Sequence, residues 1–445
     1  MDISFSDFEN ELRDGQKKAL EILESEDTPY ILLTGDAGTG KSRVIKEFIR
    51  NSKDAGKQVV ISASTGFAAS LIDGTTYYKA FGLVPGLEKS NSVISVPYGF
   101  DRADVIIIDE VSMITAEMLD LLYQELQFIK QGKGKQIRLI LVGDFFQLPP
   151  VTEGGYINMH WLFEAKAFEK FWCFRLHEKI RSGEDKEFSE MLDMAKQGNK
   201  ECVEYINNNV SQIKFEGETF LCGRRDDADN ICKNMLSKLP GQETTILSEI
   251  TDLNGNNLRK SNAENQQLDN KLVIKKNAKV RFTVNDPGGQ YTNGSEGIID
   301  QICLDSDGEV NTIKVKLVRT GELINLQKIM LLSDKSDDII VKQFPIRLSY
   351  AITIHKSQGM TFDKVNILPA GWEPGQLYVA LSRTRSIKDI YLSEKISGEM
   401  LQCDPRVIKF YKGIQSVEDA YNAQFGWREK MIDELMTKWV SSDEW

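Results

Sequence analysis

Residues 35–42 read GDAGTGKS and fit the pattern G-x-x-x-x-G-K-[ST]. Glycines at 35, 38 and 40 let the backbone fold tightly around phosphate groups, with amide N–H groups and the start of the next helix facing the anion. In that arrangement Gly38, Thr39 and Gly40 line the turn, Lys41 reaches the β- and γ-phosphates of ATP, and Ser42 ligates Mg2+. Such a site needs one carboxylate for the metal and another for the attacking water. VIIIDE (105–110) supplies both: Asp109 for the metal, through water, and Glu110 to polarise the nucleophile. Two acids after four apolar residues can equally cap a strand; the phosphate loop is what favours the catalytic reading.

Hydrolysis also asks for positive charge on the developing phosphate oxygens. Arg383 and Arg385 in YVALSRTRS (378–386) and Arg181 in HEKIRSGED (177–185) are the candidates, although each reads equally as a surface residue by position alone. A third stretch, LILVGDFFQLPPV (139–151), begins as a buried strand and then delivers a carboxylate, two aromatics, an amide and two prolines. Gln147 stands at the strand exit, where an amide can sense a γ-phosphate, and Asp144 is placed to join the metal's outer shell. Phe145 reads as core. Phe146 and Pro149 are expected on the face of a stiff turn that points away from the nucleotide, since proline fixes φ.

These residues need elements to hold them. QKKALEILES (16–25) has helical apolar spacing, and the apolar runs PYILLTG, QVVISAS, DVIIIDE and RLILVGD alternate with helical patterns such as AEMLDLLYQELQFIK (116–130). That alternation predicts a parallel sheet flanked by helices over residues 1–175. A second α/β series follows over 176–270 and 345–395, with strand candidates ETFLCGRR, KVNIL and DIYLS. Between its halves, 271–344 switches to period two, with turn signals NDPGG, TNGSEG and DSDG, and predicts a small inserted antiparallel barrel. Residues 396–445 are expected to form a helical extension.

Composition narrows the class. The 445 residues are 41% hydrophobic, enough for sizeable cores and roughly three domains. Six cysteines show no C-x-x-C pair and three histidines are as scattered, which argues against a zinc site or disulfide framework and for an intracellular chain, cytoplasmic in a bacterial or phage-infected cell. The acidic start MDISFSDFENELRD has no apolar signal core, and no apolar run approaches the ~18–20 residues of a membrane span. A net charge of −11 disfavours simple coating of nucleic acid but permits a local groove of stacking faces and a few cations.

GDAGTGKS, SASTGFAAS, IIIDEVSM, LVGDFFQLPPV, AITIHKSQGMTFD and YVALSRTR occur in this order. Together they resemble the superfamily 1 DNA helicases, in the Pif-type (petite integration frequency) branch near RecD, over about residues 10–395. The resemblance implies two RecA-like domains, ATP and Mg2+ as cofactors, and 5′-to-3′ movement on single-stranded DNA with unwinding of duplex or forked DNA by a monomer. It assigns Gln16 to adenine and Lys41, Ser42, Asp109, Glu110, Gln147, Arg181 and Arg383 to ATP. It assigns Thr65 to a DNA phosphate, and Phe67, Tyr78, Phe146, Pro149, His355 and Lys356 to the single-strand channel. Tyr78 stands where relatives carry histidine, and the segment 83–100 is the expected strand-separating wedge. An RNA-directed helicase, a nucleotide-switched binding module that does not unwind, and a small-molecule kinase are the alternatives; GDFFQLPP and HKSQG argue against the last.

Overall fold

The computed structural model describes residues 12–65, 68–69, 72–82, 100–150, 159–180, 185–212, 218–258, 265, 267–333, 336–369 and 373–426. The chain forms two compact units, the first of residues 1–209, 371–387 and 396–445, the second of 210–370 and 388–395.

In the first unit, β1 (Tyr30–Gly35), β2 (Val59–Ala63), β3 (Thr75–Thr76), β4 (Val105–Asp109), β5 (Arg138–Gly143) and β6 (Trp172–Leu176) join the strand Gln415–Ser416 in a seven-stranded sheet. All its pairings are parallel, in the order Gln415–Ser416, β6, β1, β5, β4, β2, β3. β1, β4 and β5 are buried at every residue, which is why they read as unbroken apolar runs rather than alternating ones. α1 (Asp14–Glu24) and α2 (Lys41–Asp54) close one core through Ala19, Ile22, Val44, Ile45 and Phe48. α3 (Ala116–Lys133) starts at Thr115, whose side chain accepts the Met118 N–H, and stops at Gly134 in left-handed conformation. Register aligns the carboxyl ends, with Thr34 opposite Gly143 and Ala63 opposite Asp109.

The second unit carries β7 (Ser211–Gln212), β8 (Thr219–Cys222), β9 (Thr244–Leu247), β10 (Glu249–Asp252), β11 (Lys271–Ile274), β12 (Lys279–Phe282) and β13 (Glu296–Leu304). It continues with β14 (Val310–Leu317), β15 (Leu323–Leu326), β16 (Ile329–Ser333), β17 (Ser336–Gln343), β18 (Ile346–Leu348), β19 (Ala351–Thr353), β20 (Val365–Ile367) and β21 (Ile390–Leu392). A parallel sheet β19-β8-β20-β21-β7 stands beside antiparallel sheets β15-β14-β13-β12-β18, β10-β17-β16 and β9-β11.

The boundaries differ from those expected. β6 pairs with β1, and α4 (Lys186–Lys196) and α5 (Cys202–Asn209) fall in the first unit, so the division comes after residue 209 and not 175. The segment 371–387 also groups with the first unit. The antiparallel region spans 244–348, because β10 pairs with β17 and β18 with β12. Residues 396–445 are not a purely helical extension: after α8 (Pro405–Tyr411), Gln415–Ser416 adds a strand beside β6, and Val417, Ala420 and Phe425 enter the first core. Arg225–Lys238 is α6, and within 371–387 Gln376–Leu381 forms the short α7.

Candidate active site

The carboxyl ends of β1, β4, β5 and β6 converge on the residues singled out above. Gly40 takes φ 80° at the start of α2, and an added Cβ would collide with Gln16 Nε2. Gln16 is 2% exposed; its Nε2 donates to Thr39 O (3.2 Å) and its Oε1 accepts the Arg13 N–H (3.1 Å). The phosphate loop is thus braced from α1. Thr39 Oγ1 donates to Asp36 O (3.0 Å), and Lys41 Nζ donates to the carbonyls of Gly35 (2.7 Å) and Asp36 (3.1 Å). Ser42 lies exposed in the first turn of α2.

Asp109 ends β4, buried, and its Oδ1 accepts the Glu110 N–H at 2.8 Å. Burial first, then the charge of Glu110, lift the Asp109 carboxyl to about 7, with Lys41 opposing. Glu110 takes φ 54° and ψ 45°, a left-handed conformation that costs a residue with a Cβ on the order of 1 kcal/mol and clusters at active sites.

Asp144, fully buried, is the hub of the next turn. Its Oδ1 accepts the Phe146 N–H (3.1 Å) and Tyr411 OH (3.3 Å); its Oδ2 accepts Gln147 Nε2 (3.3 Å) and Tyr378 OH (3.4 Å). Gln147 is 4% exposed, and its Oε1 is buried with no hydrogen-bond partner among the described residues. Burial pushes the Asp144 carboxyl up, with Lys41 opposing. Lys41 therefore acts on Asp109 and Asp144 together, which sets the loop, the end of β4 and the Gln147 turn in one field.

Several members of this site were given no role by the sequence: Tyr378 and Asp36 lie inside YVALSRTRS and GDAGTGKS, and Tyr411 lies in a segment with no motif. Tyr378 OH accepts the Ala37 N–H (3.2 Å) while donating to Asp144, linking the phosphate loop to the turn. Tyr411 OH accepts the Phe145 N–H (3.0 Å) and lies 2.7 Å from Thr34 Oγ1. Burial and then Asp144 push both phenols well above the ordinary tyrosine range, so they remain donors. Asp36 Oδ1 and Oδ2 accept Arg175 Nη2 and Lys196 Nζ, each at 2.6 Å. Burial opposes ionisation of Asp36, but Lys196 and Arg175 overcome it and hold the carboxyl at about 2. The partners stand 139 and 160 residues from Asp36, so no local pattern pairs them. Gly375 packs so closely that an added Cβ would lie 2.6 Å from Gln147 O, which seats the start of α7 on the turn.

Two DNA-channel expectations are corrected. Phe146 is 5% exposed, stacked on Tyr411 (4.5 Å, 8°) with Lys196 Nζ 5.4 Å from its centroid, and Pro149 is buried. Neither offers a face to a base; Phe146 is covered by Tyr411 of α8 and Lys196 of α4. Phe145 is core, edge-on to Trp161, Phe163 and Phe410. Arg383, 1% exposed, donates Nε to Val379 O (2.8 Å) and lies in the first unit rather than the second. Thr65 Oγ1 accepts the Ala68 N–H (3.1 Å). Tyr78 belongs to the single turn Tyr77–Ala80, and its side chain, Phe67, Arg181 and residues 83–99 of the expected wedge lie outside the described residues. His355 and Lys356 open a 3-10 turn after β19 in the second unit.

Residues 10–208 match the family described as PIF1-like helicase. The chain is 32% identical over 426 residues to an ATP-dependent DNA helicase Pif1 of Bdellovibrio bacteriovorus, covering 92% of this chain and 93% of that relative. Its fold is similar to the crystal structure of Pif1 helicase from Candida albicans, with TM-score 0.77, 25% identity and 90% of this chain and 99% of that one covered. It is also similar to a Pif1 helicase from Bacteroides in complex with ADP-AlF3 and single-stranded DNA, with TM-score 0.72, 26% identity and coverage of 90% and 97%.

Proposed function

The chain belongs to the PIF1-like helicase family and is an ATP-dependent DNA helicase, and on that premise we propose that it moves 5′ to 3′ along single-stranded DNA and unwinds duplex or forked DNA ahead of it. Gly38, Thr39, Gly40 and Lys41 hold the ATP phosphates, and Gln16, which touches Thr39, reads the adenine. Ser42 and Asp109 offer hard oxygen donors, and a carboxylate buried beside only one opposing lysine suits a divalent cation. Mg2+ held there supplies charge neutralisation at the β- and γ-phosphates.

Glu110 accepts a proton from water as the water oxygen attacks the γ-phosphorus and the bond to the β–γ bridging oxygen breaks, releasing ADP and phosphate. Gln147 Oε1 accepts the water's second hydrogen, and Arg181 and Arg383 add charge at the transferring group. Thr65, Phe67, Tyr78, His355 and Lys356 contact the strand. The observation that carries this reading is the unpartnered, buried Gln147 Oε1 in the field shared by Lys41, Asp109 and Asp144. Steady-state ATP hydrolysis with and without a thymidine oligonucleotide tests it: Glu110→Gln is expected to bind ATP and lose turnover. Unchanged turnover would assign the base elsewhere.

A further inference from the structure

Two arginines face each other across the antiparallel pair β12–β18 of the second unit: Arg281 stands directly opposite Arg347. Like charges in that register repel and weaken a strand pair unless an anion lies between them. The carboxylates nearby do not resolve the repulsion. Glu296, opposite Arg281 on β13, is turned to Lys279 Nζ (3.0 Å) and Ser349 Oγ (2.7 Å). Asp269 pairs with Arg347 Nη2 (2.8 Å); Arg347 Nε and Arg281 Nη1 are buried with no hydrogen-bond partner among the described residues. Two further cations follow the adjacent parallel strands β8 and β19. Thr353 pairs with Cys222, so Arg225 and Lys356 each lie three residues beyond that rung, at the carboxyl ends where open α/β sheets bind ligands. Arg225 is largely exposed, 3.8 Å from Asp229, and Lys356 is exposed.

From this geometry we infer that Arg281, Arg347 and Lys356, with Arg225 at the rim, form an anion subsite that takes a backbone phosphate of single-stranded DNA. The inference rests on the helicase reading above and adds three arginines to its DNA path. The mutual field of the cluster agrees in direction: although Lys356 is exposed, desolvation first and then Arg347, Arg281 and Arg225 lower its ammonium, with Asp269 opposing. Burial and then Arg347 lower Arg281 to about 10. An incoming phosphate relieves both, and the planar guanidinium matches its oxygens in a way that a point charge does not.

The test uses the full chain and a fluorescent thymidine oligonucleotide, with affinity measured by anisotropy across a salt series. Arg281→Gln and Arg347→Gln are each expected to weaken binding, and the double variant to lower the slope of log affinity against log salt by ~0.7, the share of one phosphate. Sodium sulfate is expected to raise the melting temperature of the wild type more than that of either variant, and without sulfate Arg281→Met melts no lower than wild type. Unchanged slopes with lowered melting temperatures would make the arginines structural and overturn the inference. A loss of ATP affinity in the variants without DNA would assign the phosphate to nucleotide and overturn it as well. Wild-type protein that binds no oligonucleotide would instead sink the helicase reading, while the sulfate comparison still decides whether the anion subsite exists.

Discussion

Asp144 receives four hydrogen bonds inside one turn, from Phe146, Gln147, Tyr378 and Tyr411, and Tyr378 carries the chain on to Ala37 of the phosphate loop. A shift of the loop therefore reaches Gln147 through three hydrogen bonds, Ala37 to Tyr378, Tyr378 to Asp144 and Asp144 to Gln147, rather than through the backbone. Gln147→Ala removes an amide oxygen that is buried without a hydrogen-bond partner among the described residues, while Lys41, Ser42 and Asp109 remain. ATP affinity is expected to hold and DNA-stimulated hydrolysis to fall; a hydrogen bond to a charged group is worth roughly 1.5–3 kcal/mol, or about ten- to a hundredfold in rate. Steady-state kinetics with and without oligonucleotide measure this, and full DNA stimulation in the variant would make Gln147 a structural strand end. Tyr411→Phe keeps the stack on Phe146 but strands the Phe145 N–H and an Asp144 oxygen, so denaturant unfolding is expected to show a loss of roughly 1–3 kcal/mol.

At the scale of elements, Asp36 ties β1 to β6 and α4 through Arg175 and Lys196. Lys196→Met removes one of the two charge-assisted bonds to Asp36 and leaves Arg175 on the other oxygen, so it is expected to lower stability by roughly 1.5–3 kcal/mol at neutral pH. The folded pKa of Asp36, about 2, lies below the ordinary 3.8. Its contribution is therefore complete above the ordinary value and is lost as pH falls from there toward 2. Unfolding measured between those limits should be less steep in Lys196→Met than in wild type; parallel curves would mean the pair is not what holds Asp36 ionised. The same elements show what was legible in the sequence. β1, β4 and β5 were readable because strands buried on both faces are apolar throughout, and the loop and DE pair follow them directly. Phe146 misled because an aromatic beside prolines at a strand exit has the same local pattern whether it meets a base or Tyr411, and Tyr411 lies 265 positions away in a segment with no motif. The edge strand Gln415–Ser416 is two polar residues, and only its pairing with Phe174 and Arg175 makes it a strand.

For the whole molecule, the first unit carries the loop, both acids, Gln147 and Arg383, while the second carries His355, Lys356 and the arginine cluster. The antiparallel region is not a detachable insert, since Leu236, on the helix Arg225–Lys238 outside it, shares its core with Phe282 and Val315. No helix among the described residues is long and apolar enough to cross a membrane. ATP turnover at the Lys41–Glu110–Gln147 site is proposed to drive 5′-to-3′ strand separation. The measurement is displacement of a labelled strand from duplexes bearing a single-stranded tail at only the 5′ or only the 3′ end, with wild type and Lys41→Ala. Wild type should release the strand from the 5′-tailed duplex in the presence of ATP and Mg2+ and leave the 3′-tailed duplex intact, and Lys41→Ala should release neither. Displacement from the 3′ tail alone, or unimpaired displacement by Lys41→Ala, would contradict the account.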